Sequence, residues 1–243
     1  SFPLGQDDPD LVEAKESMTR EVFDQEFKGE FTALAGRVYS DFSRNTHVGN
    51  HPYNPMLPVY IGADFGYRMP AIVFFQTGKI GNKGEDHIFI IDEILHEKNL
   101  KISELCEAIQ KKEYRLARVF GDPAGYQMQS SVGMGEADIF RQIIGLPVIS
   151  RRDKYSRSIA SGVSHVRQYM MTANGEIRLH IDHKCTGIVE DLESYRYPEH
   201  KENSNLKNEP LKDGYHDHGV DALRYGICGR FPIRKQKYRV EKI

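Results

Sequence analysis

Cysteine is scarce in this 243-residue chain, where Cys106, Cys185 and Cys228 are odd in number and far apart. No C-x-x-C or similar pair exists, which excludes a thiolate zinc ribbon and a disulfide framework and leaves three buried thiols as the expectation. The N-terminal run "SFPLGQDDPDLVEAKE" is acidic and lacks the basic and apolar parts of a secretory signal, so a reducing compartment is expected. Long apolar runs are missing too. None approaches the roughly 18 residues of a membrane span, and no membrane partner is expected. Internal repeats and low-complexity tracts are absent. So is the phosphate loop G-x-x-x-x-G-K-[ST]: "TGKIGNKGE" (77–85) carries glycines and lysines at other spacings, and no ATP hydrolysis is expected of this chain.

What is present fits a globular protein. The length suffices for one large domain, or one domain and a smaller piece, with a full core. A net charge of −2 argues weakly against a nucleic-acid partner, but the average hides an asymmetry. Residues 1–30 hold nine acids against three bases, and the remainder holds 30 bases against 26 acids. Basic clusters occur at "SRRDKYSR" (150–157) and in the tail "GRFPIRKQKYRVEKI" (229–243). Each reads equally well as solvated surface or as phosphate contact.

Periodicity divides the chain. Residues 11–30 repeat apolar positions at helical spacing, and "SRNTHVGNHPYNPMLP" (43–58) reads as linker. Residues 1–57 are therefore expected as an appendage, 58–231 as the main domain and 232–243 as a basic tail. Three β-rich runs, "PVYIGADFG" (58–66), "AIVFFQTG" (71–78) and "HIFIIDEIL" (87–95), have short connections and predict an antiparallel meander. A helix over 102–113, with Ser103 as its cap, precedes a fourth strand over 116–125. Helices near 135–144, 155–172 and 184–197 then alternate with strands at 147–150 and 176–181, and a polar loop or hairpin (198–216) leads into a last helix near 217–229. The fold class is α/β: a mixed sheet holding a three-strand meander, flanked by helices.

Acids fall at the ends of these elements. Asp64 closes the first strand, Asp122 the fourth, and "GYHDHGVDALRYG" (214–226) places Asp217 and Asp221 one turn apart on a helical face, beside His218. Each has a structural reading: Asp217 as a helix cap, Asp64 and Asp122 as turn formers. Together they read differently. Strand ends aim side chains at the sheet edge where sites gather, and several acids clustered there stay ionised only beside a cation. Oxygen donors suit Mg²⁺ or Mn²⁺, and two such ions about 4 Å apart hydrolyse phosphodiesters. Asp64 would then bridge the ions, with Asp122 on one and Asp221 on the other, and His218 would orient water, ligate or protonate the leaving group.

The motifs "IGADFG" (61–66), "FGDPAG" (120–125) and "HDHGVDALRYG" (216–226) resemble the three acidic motifs of the nuclease domain of bacteriophage large terminase subunits. The resemblance covers about 58–231, and its last motif, with Asp followed by Ala-Leu-Arg-Tyr, is the most specific. It implies an RNase H-like fold and an endonuclease that cuts concatemeric double-stranded DNA during viral genome packaging in the host cytoplasm. It implies Asp64, Asp122 and Asp221 as metal ligands, His218 as a site residue, and Asp217 as either ligand or cap. It also implies a hairpin or loop over 198–215 that gates DNA access, an upstream packaging ATPase region ending near 11–45, and small terminase and portal as partners. Arg151, Arg152 and Lys154 are the candidate DNA contacts. The rivals are a junction resolvase or integrase-like nuclease, a sugar-kinase type ATPase, and a non-catalytic DNA-binding or docking domain.

Overall fold

The computed structural model describes residues 8–24, 27, 36–66, 69–81, 84, 86–122, 134–151, 158–198 and 209–233. In chain order the elements are α1 (Pro9–Ser17), α2 (Arg20–Phe23), α3 (Arg44–His47), β1 (Val48–Gly49), β2 (Val59–Asp64), β3 (Ala71–Gly78), β4 (His87–Ile94), α4 (Ile102–Gln110), β5 (Leu116–Gly121), α5 (Glu136–Ile144), β6 (Val148–Ile149), α6 (Ile159–Met170), β7 (Leu179–Asp182), α7 (Thr186–Ser194) and α8 (His216–Arg230).

Alternation along the strands builds the layers. On β3, Ala71, Val73 and Phe75 face one core while Ile72 and Phe74 face the other, the period of two that pleating imposes. The first core is closed by Val163 and Val166 of α6, Ile188 and Leu192 of α7, and Val220, Leu223 and Ile227 of α8. Leu105 and Ile109 of α4 and Phe140 of α5 close the second. With apolar side chains on both faces, β3 needs no polar alternation and reads as a continuous apolar run.

The seven described strands are ordered β1-β7-β4-β3-β2-β5-β6. The meander β2-β3-β4 is antiparallel, as its short connections require. β5 lies parallel to β2 and β6 parallel to β5, while β7 runs parallel to β4. Parallel pairing needs a crossover, and α4 and α5 are the helices that bring β5 and β6 back.

Three elements differ in detail from expectation. The helix over 11–30 divides within its described part into α1 and α2, and Met18 and Ala173 join it to the body through a 2.8 Å backbone bond. The cap of α4 is Lys101, whose N–H donates to Glu104 Oε2 at 2.9 Å; Ser103 lies inside the helix. Residues 43–58, read as linker from their Asn, Pro and Gly content, hold α3 and β1, and β1 adds to β7 as an edge strand. Just before them, Val38, Tyr39 and Phe42 are buried in the first core. His47 is buried as well, its imidazole bridging Ser43 O and Met170 O at 3.0 Å each. Turn-forming residues therefore punctuate this stretch without detaching it from the sheet.

Candidate active site

β2 and β5 are parallel neighbours with Ala63 opposite Gly121. The next residue on each strand is an aspartate, so Asp64 and Asp122 emerge side by side at the carboxyl edge of the sheet. Helix α8 then crosses β2 at unusually short range, and two glycines permit it. A Cβ on Gly62 would collide with the carbonyl oxygen of Ala222, and one on Gly226 would stand 3.1 Å from the Gly62 Cα. The helix that carries the third acidic motif is thereby pressed onto the strand that carries the first.

His218 and Asp64 meet as a result, with His218 Nδ1 2.8 Å from Asp64 Oδ2. The imidazole lies against Gly66, where a Cβ would sit 2.9 Å from its Cε1. Burial pushes the Asp64 carboxyl up from its ordinary range, the charges of Asp221 and Asp122 push it further, and the bond to His218 opposes both. The His218 imidazole is raised in turn, first by its bond to Asp64 and then by the charges of Asp64, Asp217 and Asp221, against the desolvation of the ring. Negative charge is crowded at this edge, and it favours the protonated form of His218.

Asp221 is buried one turn further along α8. Arg224 donates to its Oδ1 through Nε at 3.2 Å and Nη2 at 2.8 Å, and Lys212 Nζ stands 3.6 Å from its Oδ2. Arg224 is pinned from behind, since a Cβ on Gly162 would lie 2.7 Å from its Cδ. Asp217 has a different local role. Its Oδ1 accepts the Gly214 N–H at 2.7 Å and fixes the turn into α8, while Asp213 accepts the N–H groups of Tyr215 and His216 at 2.9 and 2.8 Å. The N-cap position itself is Tyr215, which makes no side-chain capping bond, so Asp213 and Asp217 satisfy the N–H groups around it instead.

Of the three basic candidates, Arg151 donates to Gly229 O through Nε and Nη2 at 3.2 and 2.9 Å, tying β6 to the last turn of α8. Arg152 and Lys154 lie outside the described residues, as do much of the 198–215 loop and the tail from residue 234. Among the described residues no three His, Cys, Asp or Glu side chains converge closely enough to hold an ion in the conformation seen.

Sequence reasoning missed two groups here. Arg224 follows Asp221 by three residues, a helical pairing distance that could have flagged it. Lys212 comes from a loop and had no such signal.

A second His–Asp pair lies against the first turn of α8. His96 Nε2 is 2.8 Å from Asp191 Oδ1, the His96 ring stacks on Tyr215 at 4.2 Å, and a Cβ on Gly219 would collide with Asp191 Oδ2. Burial raises the Asp191 carboxyl to about 9, helped by the charges of Glu93, Glu190, Asp213 and Asp217. Burial lowers the His96 imidazole.

The fold was compared with solved structures. The nuclease domain of the large terminase from bacteriophage SPP1, a structure with bound Mn, aligns over 82% of this chain and 99% of its own, with a TM-score of 0.54 and 18% identity. The fold is that of a large-terminase nuclease domain. The expected RNase H-like mixed sheet with its antiparallel meander is accordingly the one found. The large terminase of a thermophilic bacteriophage aligns over 93% of this chain and 53% of its own, with a TM-score of 0.69 and 18% identity. In sequence, the large terminase subunit of Escherichia phage T5 is 22% identical over 227 residues, which are 90% of this chain and 47% of that protein. The chain thus spans about half the length of that curated relative. No family model matches it.

Proposed function

We propose that this chain is the metal-dependent endonuclease part of a large terminase subunit, cutting concatemeric double-stranded DNA during viral genome packaging. The observation that carries this reading is the 2.8 Å contact of His218 with Asp64 at the shared carboxyl edge of β2 and β5. The terminase nuclease fold around it adds support. The donor chemistry fits hard divalent cations: Asp64, Asp122 and Asp221 supply carboxylate oxygens, and the charges of Asp122 and Asp221 already raise the Asp64 carboxyl. These three residues would hold two Mg²⁺ or Mn²⁺ ions. Bound there, the ions would supply Lewis acidity at the phosphodiester and its leaving oxygen.

The remaining work falls to the chain's own groups. With Nδ1 committed to Asp64, His218 has Nε2 for exchanging a proton with water or substrate. Its bond to Asp64 and the charges of Asp64, Asp217 and Asp221 raise the imidazole and favour its protonated form. Arg224 holds one oxygen of Asp221 and so fixes the direction of the other. In this reading Asp217 is the anchor of the α8 entry turn, with its charge acting on His218 from a distance.

The partners implied are double-stranded DNA, the packaging ATPase region of the same subunit, the small terminase subunit and the portal, all within the host cytoplasm. No helix among the described residues is long and apolar enough to cross a membrane. The test is nicking of supercoiled plasmid with Mg²⁺ or Mn²⁺. Wild-type protein should relax the plasmid, and Asp64→Ala should not; a folded Asp64→Ala protein that cuts at the wild-type rate overturns the proposal.

A further inference from the structure

Beside the carboxylates, β5, β6, α6 and α8 enclose a pocket of about 290 Å³ whose lining includes Asp122, Ile149, Arg151, Ile159, Lys212 and Tyr225. Its chemistry is mixed in an ordered way. Three cations, Arg151, Lys212 and Arg224, share it with an aromatic ring and two branched aliphatic side chains, and Arg224 is already committed to Asp221. That combination suits a ligand with an anionic group and a flat or apolar body. A small inorganic anion would leave the apolar wall without a partner.

Arg151 is held ready for such a ligand. Its guanidinium is anchored on Gly229 O, so little side-chain freedom is left to lose on binding. Lys212 is the exposed counterpart, with 60% of its side chain accessible and its Nζ 3.6 Å from Asp221 Oδ2. Ile149 is 36% exposed on the short edge strand β6, a large apolar side chain left partly bare next to two cations. Asp122 joins the pocket to the candidate site, because it lines the one and its charge acts on Asp64 of the other.

We infer that this pocket seats the backbone of the nucleotide next to the cut, with Lys212 and Arg151 on its phosphate and Ile149, Ile159 and Tyr225 against its sugar. The inference rests on the nuclease reading for where the cut lies. Phosphate contacts of this kind position a strand without reading its sequence, and Lys212 would exchange Asp221 for the substrate phosphate.

The test reads binding separately from cutting. Anisotropy of a short fluorescein-labelled DNA duplex is measured with the full chain in EDTA over a series of salt concentrations, and Mn²⁺ binding is measured by calorimetry without DNA. Lys212→Ala should weaken duplex binding about five- to tenfold and lower the slope of log K against log salt by about 1. Ile149→Trp, which fills the pocket, should weaken the duplex while leaving Mn²⁺ affinity at the wild-type value. Lys79→Ala, on the opposite edge of the sheet beyond the end of β3, should bind as wild type. The inference is overturned if wild type does not bind the duplex, if both pocket variants bind it normally, or if Lys79→Ala loses as much. It is also overturned if Lys212→Ala changes only Mn²⁺ affinity, which would make Lys212 a counter-ion of Asp221 alone. A wild-type chain that binds the duplex through this pocket but never nicks plasmid defeats the nuclease reading instead.

Discussion

Two histidine–aspartate pairs meet the first turn of α8, both at 2.8 Å, and they hold their protons differently. In the His218–Asp64 pair the imidazole is raised, because Asp64, Asp217 and Asp221 all favour its charged form. In the His96–Asp191 pair the imidazole is lowered and the carboxyl rises to about 9. Asp191 has no exposure at all, so desolvation wins there and the pair is neutral at pH 7. Asp64 also rises with burial, but it lies at an edge beside other acids, where the bond to His218 opposes the rise. The same two residue types thus make a pair whose imidazole is raised in one place and a pair whose imidazole is lowered in the other. Burial and the surrounding charges decide which.

The largest effect that would break this contrast comes from Asp64. Its replacement by alanine should reduce plasmid nicking to background, whereas replacing Asp191 by asparagine should leave the rate within about twofold of wild type if that pair only packs. Next, His218→Gln should slow nicking by about 10²-fold or more, the range of a lost acid–base group, while His96→Gln should not; equal losses in the two would erase the distinction. A third expectation concerns packing. Gly219→Ala drives a methyl into Asp191 Oδ2 and should cost about 1–3 kcal/mol in urea unfolding, with part of it recovered in the double variant carrying Asp191→Ala.

The last expectation concerns pH. The folded Asp191 carboxyl, at about 9, lies above the ordinary unfolded value of about 3.9. Its contribution to stability is therefore complete below that unfolded value and is lost as pH rises through about 9. Asp191→Asn removes this titration. Wild-type Tm should fall relative to the variant between about pH 4 and pH 9, and parallel Tm profiles would contradict the assigned protonation.

Much of the candidate site's arrangement was legible because strand ends and a helix face carry positional information. Asp64 and Asp122 terminate apolar runs, and His218 with Asp221 recur at helical spacing, so local pattern placed all four before any fold was known. Asp217 was ambiguous in sequence, because caps and ligands use the same residue types, and its bond to the Gly214 N–H is a contact that spacing alone does not reveal. Arg151 had been read as a DNA contact, and its bonds to Gly229 O were invisible because they join residues 78 positions apart. The linker reading of 43–58 depended on composition. Composition reports turns, and it cannot report that Val38, Tyr39 and Phe42 just upstream enter the core or that β1 pairs with β7.

From the sequence alone came the α/β class, the meander, the three acidic motifs and the absence of a phosphate loop, since periodicity, turn chemistry and spacing are local properties. Tertiary structure decided the rest. It laid α8 on β2 through Gly62 and Gly226, so that His218 reached Asp64 rather than solvent. It gave Asp221 the cations Arg224 and Lys212, and it made one His–Asp pair ionic in tendency and the other neutral. Those outcomes depend on burial and on charges brought together from distant parts of the chain, and no local pattern encodes either.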